Sequence, residues 1–120
     1  MVQGKAGARQ PMLNAEVEAA SQANMTASVL FPKTGMLIAG DAGAEFRSRD
    51  GRGFIQMPWA AIRRVIVDAY GTFVRSLTFE IGEGRSFSFV VSDGAPLVRV
   101  LNVHLGREKL VPARHHLKRA

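Results

Sequence analysis

The sequence predicts a mainly β domain, a partly open antiparallel barrel or two-sheet sandwich capped by one C-terminal helix. Three observations carry that prediction. In 73–81 the apolar residues Phe73, Leu77, Phe79 and Ile81 alternate with Ser76, Thr78 and Glu80, and in 85–91 Phe87, Phe89 and Val91 alternate with Ser86 and Ser88. Such period-two runs, joined by Gly82-Glu83-Gly84, describe a hairpin with one buried face. Upstream, short apolar runs end repeatedly at Gly, Pro or Asp. Downstream, Leu97, Val100, Leu101, His104 and Leu105 recur at three- and four-residue steps, the spacing of an amphipathic helix.

Taken in order, residues 1–12 are rich in Gly, Ala and Gln and are expected to be disordered. Residues 13–25 are ambiguous. Their Ala, Glu and Gln favour a helix, whereas Ala15, Val17 and Ala19 alternate with Asn14, Glu16 and Glu18 as in a strand. Val29-Leu30-Phe31 stops at Pro32, and Met36 to Ala39 stops at Gly40-Asp41. Ala44 to Arg47 leads into the turn Arg49-Asp50-Gly51-Arg52-Gly53. Phe54 to Met57 is a strand that Pro58 ends, because Pro cannot donate to a ladder but suits a first helical turn. Val65 to Tyr70 follows and stops at Gly71. In the hairpin, Arg75 lies on the inward parity, either at a rim or paired with a buried acid. Ser92-Asp93 are expected to cap the helix, Pro96 to sit in its first turn and Gly106 to close it. The expected organisation is a domain over 13–106 and a basic tail over 107–120. A small barrel with a helix over its open end is the architecture of pleckstrin-homology-like domains.

Charge is unevenly spread. The net charge is +6, yet residues 34–106 hold eight Arg against seven acidic residues. Residues 107–120 hold Arg107, Lys109, Arg114, Lys118 and Arg119 against Glu108 alone. The excess reads as a solubilising end, or as an adhesive for anionic lipid or polymer. The aromatics Phe73, Phe79, Phe87 and Phe89 sit on the buried parity rather than among basic residues, which argues against a nucleic-acid face. With no Cys, disulfides and thiolate sites are excluded. There is no apolar run long enough to span a membrane, and Met1 to Lys5 lacks the apolar core of a secretory signal. The expected location is the cytoplasm, with membrane association through the tail as an alternative. Homo-oligomers are compatible with exposed sheet edges.

No nucleophile–base arrangement, phosphate-cradling loop or paired carboxylates can be assembled, so the expectation is a non-enzyme without cofactor or metal. His104 is read as a packing residue, and His115-His116 lack the geometry of fixed metal ligands. Trp59 is read as a plug in the barrel mouth or a partner anchor. Gln56 is read as a surface or edge hydrogen-bonder, or as a recognition residue. Arg63 and Arg64 form a solvated face, or join Arg47, Arg49 and Arg52 in a patch for phosphate or carboxylate. These five arginines and Trp59 are the expected partner-binding residues.

Gly35-Met36-Leu37-Ile38-Ala39-Gly40-Asp41, Glu45-Phe46 and Ile55-Gln56-Met57-Pro58-Trp59 resemble a bacterial family of unknown biochemical function, the ManO-like proteins. Arg75 and Phe87-Ser88-Phe89 fit the same pattern. The resemblance spans about residues 13–112. It implies a pleckstrin-homology-like fold with a first strand over Leu13 to Ser21. It also implies a link to mannose-type sugar phosphotransferase transporters, and hence a regulatory protein acting by protein contact. A transcriptional regulator is a minor alternative.

Overall fold

The computed structural model of the 120-residue chain describes residues 2–5, 11–26, 33–82 and 84–113, residues 2–5 by their backbone alone. Among these residues the protein is mainly β with one α-helix. The strands are β1 (Val2–Lys5), β2 (Val17–Met25), β3 (Lys33–Gly40), β4 (Gly43–Ser48), β5 (Gly53–Pro58), β6 (Ile62–Tyr70), β7 (Phe73–Ile81), β8 (Arg85–Val91) and β9 (Leu110–Pro112). They form one open sheet in the order β1-β5-β4-β3-β2-β8-β7-β6-β9. The helix α1 covers Ala95–Leu105.

The ambiguous segment 13–25 is a strand from Val17 onward. β2 is central, paired with β3 on one side and β8 on the other. Two ladders outweigh a helix propensity worth tenths of a kcal/mol per residue. The strand starts later than Leu13, because residues 13 to 16 are engaged differently (below). The expected strand at Val29 to Phe31 lies outside the described residues.

The core is one cluster. Leu37, Phe46 and Ile55 are cross-strand neighbours on β3, β4 and β5. Phe46 meets Phe89 at 5.2 Å between ring centroids, and Phe79 meets Phe89 edge-on at 5.8 Å. Leu97 and Leu101 of α1 complete the cluster.

The hairpin β7–β8 buries Leu77, Phe79, Ile81, Phe87, Phe89 and Val91 in the expected alternation. At the start of β7 the alternation fails: Phe73 and Arg75 are exposed and Val74 is buried. Asp68 opposes Ser76 while Ala69 opposes Val74, so Arg75 is the extra residue of a bulge. A bulge shifts every residue beyond it to the opposite face. Arg75 is at the rim and also paired, its Nη2 2.8 Å from Oδ2 of buried Asp68. The hydrogen bond and charge of Asp68 hold the guanidinium above its ordinary pKa.

Both ends of the chain correct the expectation of tails. β1 pairs antiparallel with β5, Val2 opposite Gln56. A segment too polar for a core can still satisfy a sheet edge, since a ladder uses main-chain groups alone. At the other end, one 3₁₀ turn at Arg107–Lys109 leads into β9, which pairs parallel with β6. The sheet is therefore mixed rather than antiparallel. Charge dominates the composition of 107–120 and conceals the short apolar run Leu110-Val111. Residues 114–120 lie outside the described residues.

Neither Ser92 nor Asp93 caps α1. Gly94 holds the cap position without a side-chain bond. The Asp93 amide instead donates to Ser21 Oγ, and the Ser92 amide to the Gln22 carbonyl, tying the helix start to β2. A Cβ on Gly94 would lie 2.7 Å from Val74 and 2.8 Å from Val91, so the residue is glycine for want of space. Gly106 ends the helix at φ 88°, a conformation glycine adopts without penalty.

Candidate functional site

The motif residues converge on one face of β3–β5. Glu45 and Gln56 are directly opposite each other across β4 and β5. Glu45 is completely buried. Its carboxylate accepts bonds from the amides of Leu13 and Asn14 at 3.1 Å each, and from Asn14 Nδ2 at 3.0 Å. Asn14 Oδ1 in turn accepts from the amides of Ala42 and Gly43, at 2.6 and 2.9 Å. Gln56 Nε2 donates to the Pro11 carbonyl at 2.9 Å. The turn residue Asp41 accepts the Glu16 amide at 2.8 Å. Together these bonds strap residues 11–16 across the sheet.

Gln56 is thus buried rather than a surface group. Phe54 to Met57 are all buried: Ile55 and Met57 belong to the core, and the strap bonds Gln56 on the other face. Strand parity alone separates two faces but does not say that both are covered. Asn14 is the residue that sequence reasoning missed. It stands in the ambiguous segment, and its partner Glu45 is 31 positions away.

Trp59 lies in the 3₁₀ turn Trp59–Ala61. Its indole donates to the Gly40 carbonyl at 3.1 Å, and its backbone amide to the Ala42 carbonyl at 3.2 Å. The ring stacks on His104 of α1, centroids 4.6 Å apart and planes within 9°. His104 Nε2 is 2.8 Å from Glu18 Oε1 on β2. Trp59 and His104 therefore join the turn, the helix and the first central strand.

The six expected partner-binding residues do not form one patch. Arg47 lies beside Glu45, Nη1 at 3.5 Å, and belongs to the strap's surroundings. Arg49 and Arg52 are exposed on the β4–β5 turn. That turn is built by Asp50, which accepts the Ser48 hydroxyl at 2.6 Å and the Arg52 amide at 2.9 Å, with Lys33 Nζ at 3.4 Å. These contacts, the Ser48 bond foremost, hold the Asp50 carboxyl down at about 2. A depressed carboxyl stabilises the fold above its unfolded value and ceases to as pH falls through its folded one. Asp50→Asn is therefore expected to flatten the acid limb of the stability profile between pH 3.8 and about 2. Urea titrations at stepped pH check this; an unchanged limb contradicts it.

Arg63 and Arg64 lie at the other end of β5, past Pro58 and Trp59. Ile62 opposes Ile81 while Arg64 opposes Glu80, which makes Arg63 a second bulge residue turned to solvent. Together with Arg85 they line a cleft of about 530 Å³, completed by Glu80, Ile81, Gly84 and Ser86. Arg64 Nη2 bonds Glu80 Oε1 at 2.7 Å. Arg85 lies over the Phe87 ring at 5.6 Å. Among the described residues, the lining holds three guanidinium groups and the Glu80 carboxylate. Arg85 escaped sequence reasoning because a register across β6, β7 and β8, not proximity in sequence, brings it to Arg63. Among the described residues no group of three or more His, Asp or Glu could hold a metal ion. Among the described residues no helix is long and apolar enough to cross a membrane.

A family model described as a domain of unknown function, DUF956, matches residues 10–119. No curated protein matches the chain. Among solved structures, the chain is similar to the crystal structure of the C-terminal domain of an unknown protein from Leishmania infantum. The TM-score is 0.65 at 10% identity, over 77% of this chain and 85% of that one. At that identity the likeness concerns the fold alone.

Proposed function

The chain belongs to the DUF956 family of domains of unknown function, and from that premise we propose that it is a non-enzymatic accessory or regulatory protein of a mannose-family phosphotransferase transporter. It acts by protein contact on a pleckstrin-homology-like scaffold. The strand order β5-β4-β3-β2-β8-β7-β6 with one helix after β8 supports that scaffold. The transporter link rests on the sequence resemblance.

The observation that carries the contact reading is where the polar chemistry goes. Glu45, Gln56, Asn14 and Trp59 are consumed by internal bonds, so the motif builds the scaffold. The exposed chemistry is the cleft of Arg63, Arg64 and Arg85. Guanidinium forks suit carboxylate and phosphate, the groups an acidic or phosphorylated partner surface presents. Arg49 and Arg52, at the far end of β5, supply secondary contacts.

The test is affinity capture from host membranes with the tagged protein. Wild type is expected to enrich transporter subunits, and Arg63→Glu with Arg64→Glu to lose them. A wild type that captures no more than a charge-scrambled control refutes the reading.

A further inference from the structure

At the opposite end of the β6–β7 hairpin, ~20 Å along the strand from Arg64, the tip places two aromatic side chains in solvent. Tyr70 and Phe73 are cross-strand partners flanking the two-residue loop Gly71-Thr72. They are 53% and 56% exposed. The bulge at Arg75 turns Phe73 outward, against the parity that the rest of β7 obeys. Arg75, 54% exposed at its side chain, lies over the Tyr70 ring at 5.7 Å. A core has no use for this arrangement, and a soluble surface does not need it.

Three further observations sit beside the tip. A groove of about 510 Å³ runs between β6, α1 and β9, lined by Val67, Ala69, Val98 and Leu110 together with Arg99 and Arg107. Among the described residues its lining carries two cations and no acid. β9 runs parallel to β6, Val65 opposite Leu110 and Val67 opposite Pro112, so the chain travels toward Tyr70. The Ala113 amide still bonds the Val67 carbonyl at 2.9 Å. The seven residues that follow hold Arg114, Lys118 and Arg119 and no acid.

We propose that this end of the molecule docks on an anionic lipid bilayer, with Tyr70 and Phe73 seated at the headgroup boundary and the cations around them facing lipid phosphates. The occupant is a membrane rather than a peptide for two reasons. Tyr70 and Phe73 flank a two-residue turn and do not line the adjacent groove, where a peptide would seat. Exposed aromatic rings near Arg75, Arg99 and Arg107 form the two-signal pattern of peripheral membrane binding, one apolar and one electrostatic. The cleft of Arg63 and Arg64 then faces away from the bilayer, at the other end of the hairpin. The inference stands apart from the transporter reading, since it concerns lipid alone.

The test uses the full chain and vesicles of phosphatidylcholine and phosphatidylserine at roughly 7:3, with pure phosphatidylcholine as the control. Because the chain has no Cys, Phe73→Cys carries a single polarity-sensitive fluorophore. The label is expected to shift to the blue on the anionic vesicles only. Tyr70→Ser with Phe73→Ser is expected to weaken co-sedimentation about tenfold, and added salt to weaken it steeply. Both positions are exposed, so circular dichroism of the double variant should match wild type. A label that stays in water overturns the proposal, whether the protein fails to bind or binds by charge alone. So does a tip that shifts only when a protein partner is supplied.

Discussion

Glu45→Ala is expected to lower the stability of the domain by about 3 kcal/mol. The substitution leaves the amides of Leu13 and Asn14 without their acceptor and takes one of two acceptors from the Asn14 side-chain amide, which still donates to the Gly43 carbonyl. Each orphaned donor costs about 1–3 kcal/mol if it stays dry. The strap can peel off and hydrate those groups, so the full sum is not reached; the loss is capped at what docking the strap contributes. Glu45→Gln keeps one carbonyl acceptor but points an amide NH₂ at a donor, and about half the effect is expected. Urea denaturation checks both, and at ~4 °C per kcal/mol the melting temperature of Glu45→Ala falls by about 12 °C. A loss under about 1 kcal/mol would mean that the strap adds little to the fold.

Gly40→Ala is the second large effect. A Cβ at Gly40 would run into the carbonyl oxygen of Glu16 and lie 2.9 Å from the Asn14 side chain. Neither side can yield cheaply. Glu16 is tied to Asp41 on both its amide and its carbonyl, Asn14 is bonded to Gly43 and Glu45, and the Gly40 carbonyl holds the Trp59 indole. Overpacking against backbone costs about 3 kcal/mol or more. Gly82→Ala is the control. A Cβ there meets nothing within 4 Å, and the change is expected to stay within about 0.5 kcal/mol. Equal losses at both positions would show that backbone flexibility, not crowding, decides the matter.

The parts of this fold that read directly from sequence are those whose cause is local. Phe87, Phe89 and Val91 alternate because one face of β8 is buried, and the alternation is the burial. Gly94-to-Gly106 reads as a helix because its apolar face repeats at helical spacing. Phe73 and Arg75 were misassigned because a bulge is a property of two strands, and a single strand's period does not carry it. The strap was illegible for the same reason. Asn14 and Glu45 look like ordinary polar residues until the β2–β3–β4 meander stacks them, and a polar group earns burial only through partners that may lie anywhere in the chain. The arginine cleft was half legible: Arg63 and Arg64 stand out as a pair, while Arg85 joins them only through the register of β6 on β7 and of β7 on β8.

The central structural claim is that the Gly40-Asp41, Glu45 and Gln56-Met57-Pro58-Trp59 residues form a latch for residues 11–16. Amide hydrogen exchange at Leu13 and Asn14 tests it most directly. Both amides end on a buried carboxylate, so wild type should protect them against exchange by at least about a hundredfold. Glu45→Gln should release them while leaving the core amides of Phe79 and Phe89 protected. Exchange of Leu13 and Asn14 at free-peptide rates in the wild-type protein would contradict the latch.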